Sequence, residues 1–87
     1  MQSNFLLGAL HLSAQARLVL KRAPFDLIAR HAINEHGWIS ASERKINERS
    51  MLTIGPIKSR YKASPGSSKM IIIQTDDTWS HTHITVE

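Results

Sequence analysis

The chain contains no cysteine, few aromatic residues and no long apolar run. Without cysteine, disulfides, thiolate catalysis and cysteine metal ligands are excluded. No apolar stretch approaches the roughly 18 to 20 residues that cross a bilayer. The apolar segment at residues 5–10 has no basic residue before it, unlike a secretory signal. These absences predict a soluble, cytoplasmic protein that does not associate with membranes.

The length and composition predict one small domain that spans residues 1–87. A chain of 87 residues with 41% hydrophobic residues buries one compact core and cannot support two. The sequence shows no internal repeat, no low-complexity tract and no linker that would divide it.

Two helices have clear signals. An apolar stripe with helical spacing predicts a helix from Pro24 to about His36, ended by Gly37; its members are Phe25, Ile28, Ala29, Ala32, Ile33 and His36. Phe25 and the nearby Trp38 are interpreted as core residues. Ser40 and Glu43 have the spacing of a capping box, which predicts a second helix from Ser40 to about Arg49 or Met51.

Residues 10–21 give conflicting signals. Apolar residues alternate with polar ones, which favours a half-buried strand. The same segment is rich in helix formers, and Ser13 could cap a helix running to Arg22. Strand and helix are both left open here.

The C-terminal third predicts a β-hairpin after a short helix. Pro56 is placed to start a helical turn within Gly55–Lys62, and residues 63–68 have turn chemistry. Strands are predicted at Met70–Gln74 and Thr78–Val86, joined near Asp76. Isoleucines 71–73 indicate a strand covered on both faces.

The predicted fold class is therefore α+β: two to three helices, a C-terminal antiparallel hairpin, and an N-terminal strand if residues 10–21 are extended. This order of elements is that of a winged-helix module. Gly55–Lys62 would be the recognition helix and Lys69–Val86 the wing.

The charge distribution favours an anionic partner. The net charge is +4, and residues 44–69 hold seven basic residues against one acidic residue, Glu48. The predicted nucleic-acid-binding residues are Arg44, Lys45, Arg49, Lys58, Ser59, Arg60, Tyr61 and Lys62. The basic ones would meet phosphates, while Ser59 or Tyr61 would approach a base edge or the backbone.

The five histidines do not predict a metal site by themselves. His31 and His36 are five residues apart, so on one helix they point in different directions. His81 and His83 share one strand face, but two imidazoles need a third ligand, such as Glu87 or another histidine. No metal and no cofactor are predicted. A nucleophile elbow and a phosphate loop are both missing from the sequence, so the protein is not expected to be an enzyme.

Two functions follow as hypotheses. The first is a small nucleic-acid-binding accessory or regulatory protein, bacterial or phage in style. The second is a protein-interaction module, an inhibitor or assembly factor of a plasmid, phage or mobile element, that uses a sheet face or edge around Trp79. A small sheet with open strand edges is also expected to form a homodimer.

Overall fold

The computed structural model describes residues 4–87, in which four strands form one sheet. The strands are β1 (Ala9–Leu12), β2 (Ile57–Lys62), β3 (Met70–Thr75) and β4 (His81–Val86). Their order across the sheet is β1-β4-β3-β2. Strands β2, β3 and β4 form an antiparallel meander, whereas β1 runs parallel to β4.

The helices α1 (Ala14–Leu20), α2 (Phe25–Ala32) and α3 (Ala41–Thr53) complete the domain. Helices α1 and α2 pack their buried residues against one face of the sheet, where Tyr61, Ile73 and Ile84 form much of the core. Helix α3 lies beside β2. Residues 4–87 thus form a small compact α+β domain with three helices and a four-stranded sheet, which confirms the predicted class. Within residues 4–87, no helix has both the length and the apolar character needed to cross a membrane.

The ambiguous segment at residues 10–21 contains a strand and then a helix. Strand β1 ends at Leu12, and the Ser13 hydroxyl accepts a hydrogen bond from the Ala16 amide at 3.0 Å as the N-cap of α1. The strand signal is therefore correct for residues 10–12 and the helix signal for residues 14–20, and the capping role of Ser13 is confirmed.

Helix α2 ends earlier than predicted. It stops at Ala32, and Asn34 takes the left-handed backbone conformation with φ of 64°. Asparagine tolerates this region better than most residues, so the helix can end before the glycine. Gly37 is needed for another reason: a Cβ there would lie 2.2 Å from the carbonyl oxygen of Arg60 on strand β2. The core assignment of Phe25 is wrong, since its side chain is exposed.

Helix α3 begins with the predicted capping box. The Ser40 hydroxyl accepts from the Glu43 amide at 3.1 Å, and the Ser40 amide donates to the Glu43 carboxylate at 2.8 Å. The helix continues to Thr53, slightly beyond its predicted end. Its inner face is narrow, with Asn47 and Ser50 buried.

We expect Ser40→Ala to lower the free energy of unfolding by about 1 kcal/mol, because one helix amide loses its capping acceptor. Urea unfolding followed by circular dichroism measures the change. Ser68→Ala, at an exposed bend, is the control and should leave stability within about 0.5 kcal/mol of wild type. Equal effects of the two substitutions would contradict the capping role.

The predicted helix at Gly55–Lys62 is wrong. The chain forms strand β2 there, because Ile57, Ser59 and Tyr61 alternate inward with period two while the residues between them point outward. The winged-helix arrangement is not confirmed, since its recognition helix is a strand in the middle of the chain.

Candidate functional site

Strand β2 divides the predicted nucleic-acid-binding residues between two faces. Ser59 and Tyr61 point into the core and are buried, and the Tyr61 hydroxyl donates to the carbonyl oxygen of Glu35 at 2.5 Å. Burial raises the pKa of Tyr61 to about 12. In this structure neither side chain is accessible to a base edge or a phosphate.

The outward residues Lys58 and Arg60 are paired with carboxylates of the chain itself. Lys58 Nζ lies 2.6 Å from a Glu43 carboxylate oxygen, and Arg60 forms an ion pair with Glu87. The hydrogen bond from Lys58, together with the one from the Ser40 amide, lowers the pKa of Glu43 to about 2. These two cations therefore contribute little free positive charge.

The remaining predicted cations lie in two places. Lys45 and Arg49 are exposed on α3, four residues apart and so on the same side of the helix. Arg44 lines a cleft of about 260 Å³ together with Asn34 and His36. Lys62 lies elsewhere, in a separate cleft at the edge of β2. The structure does not bring the eight predicted residues onto one surface.

Lys62 shares this second cleft with an exposed tryptophan. Its ammonium group lies 5.5 Å from the centroid of the Trp38 ring, a cation–π distance. The cleft has a volume of about 320 Å³, and we call it the Trp38 cleft; its walls include Arg22, Asp26, Arg30, Trp38, Tyr61, Lys62 and Pro65. The interpretation of Trp38 as a core residue is wrong, because 63% of its surface is exposed.

Backbone hydrogen bonds hold Trp38 in place. The Trp38 amide donates to the Arg60 carbonyl oxygen at 2.7 Å, and the Arg60 amide donates to the His36 carbonyl oxygen at 2.9 Å. The segment around Gly37 thus runs as a short parallel bridge along the outer edge of β2. The backbone that carries the exposed Trp38 indole is therefore held against the sheet.

The Trp38 cleft has free positive charge. Arg22 is paired with Asp26 at 2.5 Å. Arg30 lies over the Tyr61 ring, with its Cζ 4.7 Å from the centroid. Neither Arg30 nor Lys62 forms an ion pair with any carboxylate of residues 4–87. In the sequence Arg30 falls on the polar side of a helix, and nothing local distinguishes it from other exposed arginines.

A chain of hydrogen bonds connects polar side chains beneath the sheet. His31 is fully buried on α2; its Nδ1 lies 2.5 Å from Ser59 Oγ, and its Nε2 lies 2.9 Å from Thr75 Oγ1. Thr75 contacts Thr82 at 2.7 Å, and Thr82 donates to the Leu7 carbonyl oxygen at 2.6 Å. We call these side chains, together with His36, the buried histidine network.

The Leu7 carbonyl can only accept, and this orders the protons along the network. Thr82 uses its proton on that carbonyl, so it accepts from Thr75, which in turn accepts from His31 Nε2–H. A neutral His31 then accepts at Nδ1 from the Ser59 hydroxyl. With His31 neutral, each hydrogen bond from Ser59 through His31, Thr75 and Thr82 to the Leu7 carbonyl has one donor and one acceptor.

The electrostatics agree with a neutral His31. Burial, with a smaller contribution from the nearby His36, lowers the pKa of His31 to about 3. His36 Nδ1 lies 2.7 Å from Ser59 Oγ, and burial followed by the charge of Arg44 lowers the pKa of His36. The prediction that the two histidines point apart is wrong, because His36 lies beyond the end of α2 and both rings reach Ser59.

Trp79 does not offer the exposed surface that the protein-interaction hypothesis used. It precedes β4 in a turn, with φ of 58°, and so does not share the strand face of His81 and His83. Its Nε1 donates to the Gly55 carbonyl oxygen at 2.8 Å, and its ring contacts Phe5 at 5.7 Å between centroids. Trp79 closes one end of the core.

The structure brings a third histidine to the pair on β4. The parallel pairing of β1 with β4 places His11 directly opposite His83, and His11 Nε2 lies 2.9 Å from His81 Nδ1. All three rings are exposed. As the rings stand, no three His, Asp or Glu side chains of residues 4–87 are arranged to hold a metal ion.

The Trp38 cleft is the candidate functional site, because it combines a concave surface, an exposed aromatic ring and cations free of carboxylate partners. No family model, curated protein or solved structure matches the chain.

Proposed function

We propose that the protein is a non-catalytic, single-stranded nucleic-acid-binding protein that uses the Trp38 cleft. The observation that carries this proposal is the exposed Trp38 ring beside Lys62 and Arg30, two cations without a carboxylate partner among the described residues. An aromatic platform next to positive charge is the arrangement that binds unpaired bases and their phosphates.

In this proposal each group has one task. A base stacks on the free face of Trp38, which is worth about 1 to 3 kcal/mol per base. Arg30 and Lys62 contact the phosphates on either side of that nucleotide. The cleft volume of about 320 Å³ falls within the range of small-ligand pockets, so it has room for one base rather than for a duplex.

The path of the strand can continue toward helix α3. His36, two residues before Trp38, lines a separate cleft together with Arg44 of α3, and Lys45 and Arg49 are exposed on the same helix. These residues retain their predicted role as phosphate contacts. A single strand fits this proposal better than a duplex, because the duplex-reading helix of the winged-helix hypothesis is strand β2.

Binding to fluorescein-labelled single-stranded RNA and DNA of about 12 nucleotides, measured by anisotropy over a range of salt concentrations, tests the proposal. We expect Trp38→Ala to weaken binding by roughly 5- to 150-fold through lost stacking. Arg30→Gln and Lys62→Gln should each lower the slope of log K against log salt by about 0.7.

Two matched controls lie outside the cleft. Phe25→Ala removes an aromatic ring that is about as exposed as Trp38, and Lys69→Gln removes an exposed lysine that lines a different cleft with Gln15 and Val86. Both should bind like wild type. The proposal fails if the wild type does not retain single strands at low salt, if it prefers the duplex, or if Phe25→Ala weakens binding as much as Trp38→Ala.

A further inference from the structure

We infer that His11, His81 and His83 form a binding site for one zinc ion on the open face of the sheet. The ring centroid of His11 lies 5.0 Å from that of His81 and 4.7 Å from that of His83. The centroids of His81 and His83 are 6.3 Å apart. No role in the Trp38 cleft involves these residues, so this inference is independent of the proposed function.

The backbone fixes the spacing of the three side chains. His81 and His83 alternate to the same side of β4, and His11 reaches that side from β1 because it pairs with His83 in the parallel register. Helices α1 and α2 cover the opposite face of the sheet. The backbone of the two strands therefore holds the three histidines on the face that the helices leave exposed to solvent.

The ring separations match those of a three-histidine zinc site. Nitrogen ligands lie about 2.0 to 2.1 Å from zinc in tetrahedral geometry, which places imidazole centroids roughly 5 Å apart. The observed separations bracket this value. The rings do not yet converge, since His11 and His81 face each other through a 2.9 Å nitrogen–nitrogen contact. The three side chains are exposed, and the site requires them to rotate about χ1 and χ2 until one nitrogen of each ring points at the ion.

The donor set selects the class of metal. The outward neighbours of His83 are Gln74 and Thr85. Asp76 lies next to His81, but its carboxylate accepts hydrogen bonds from the Thr78 and Ser80 amides, so we take the three imidazole nitrogens as the donors. Imidazole donors suit zinc, copper and nickel, whereas magnesium and calcium prefer oxygen. Three protein ligands leave one position on zinc open to water.

Zinc would also fasten the N-terminal strand to the sheet. Strand β1 has only four residues, three of them exposed. Its pairing with β4 joins residues that are about 70 positions apart in the sequence, so forming it costs chain entropy. A metal shared by His11 and the β4 histidines would bridge this pairing. Binding should therefore raise the melting temperature and slow amide hydrogen exchange in β1.

Isothermal titration of the full chain with zinc chloride tests the inference, using protein without a histidine tag. We expect one zinc per chain. His11→Asn, His81→Asn and His83→Asn should each weaken binding by at least about tenfold. Gln74→Ala, next to His83 on the same face, is the control and should bind like wild type.

A second readout separates the cluster from the buried histidines. In nitrogen-15 NMR spectra, zinc should shift the ring signals of His11, His81 and His83 and leave those of His31 and His36 in place. Three results would overturn the inference: no saturable binding, unchanged affinity in His11→Asn, or a zinc-dependent dimer in sedimentation experiments, which would place the metal between two chains.

Discussion

Asn47→Ala is expected to lower the free energy of unfolding by about 2 to 3 kcal/mol, although Asn47 is a polar residue on a helix of largely polar sequence. Only 3% of its surface is exposed. Its Nδ2 donates to the Lys58 carbonyl oxygen at 2.8 Å, and its Oδ1 accepts from the Lys58 amide at 2.9 Å. One side chain thus satisfies both backbone groups of a residue on an outer strand.

This contact also closes the edge of the sheet. Strand β2 is the last strand in the order, and its outward backbone groups would otherwise be free to pair with another chain. The Asn47 side chain hydrogen-bonds the backbone amide and carbonyl of Lys58. The backbone of residues 36–38 hydrogen-bonds the amide and carbonyl of Arg60. The homodimer expected from open strand edges therefore cannot form along this part of β2 without breaking these bonds.

Urea unfolding measures the stability of Asn47→Ala, and sedimentation velocity at increasing concentration measures self-association. We expect both lower stability and new concentration-dependent oligomers.

Asn47→Asp keeps the shape and the acceptor but turns a carboxylate oxygen toward the Lys58 carbonyl, so it should be at least as unstable. Glu48→Gln, the next residue and exposed, is the control. If the free energy of unfolding of Asn47→Ala were within about 0.5 kcal/mol of wild type, Asn47 would not be protecting the edge of β2 as we infer.

The features that the sequence predicted well depend on nearby residues. Ser13 and Ser40 cap their helices because an N-cap needs only the side-chain oxygen and the first helical amides. Isoleucines 71–73 are buried, as their composition indicated. The two hairpin strands also formed, with β4 beginning at His81 rather than Thr78.

The features that were missed depend on pairing between distant parts of the chain. The alternation in β2 was obscured by Pro56 and by the lysines and arginine at its outward positions, which also occur in helices. His11 joins His81 and His83 only through the parallel pairing of β1 with β4. Trp38 is exposed because the backbone around Gly37 follows the edge of β2, a path that no local pattern specifies.

Acidification is expected to destabilise the protein through His31, beginning near pH 6.5, before most carboxylates become protonated. His31 is completely buried and its folded-state pKa is about 3, against an ordinary value of 6.5. Between these two values the unfolded chain binds a proton that the native protein does not. The contribution of neutral His31 to the free energy of unfolding is therefore fully present above pH 6.5. It falls as the pH decreases, and about 3 kcal/mol is lost at pH 4.5. His36, whose pKa is also lowered, acts in the same direction.

Urea unfolding of wild type and His31→Gln at pH 7.5, 6 and 4.5 isolates this contribution. The glutamine side chain stays neutral at every pH, so the stability of the variant should change less between pH 7.5 and 4.5 than that of wild type, by about 3 kcal/mol. At pH 7.5 the variant should be the less stable of the two, because it does not reproduce both hydrogen bonds to Ser59 and Thr75. Gln74→Ala, which changes an exposed residue that does not titrate, is the control and should keep the wild-type pH dependence. Parallel pH profiles for wild type and His31→Gln would mean that His31 accepts a proton in the folded protein, and the proton order assigned to the buried histidine network would then be wrong.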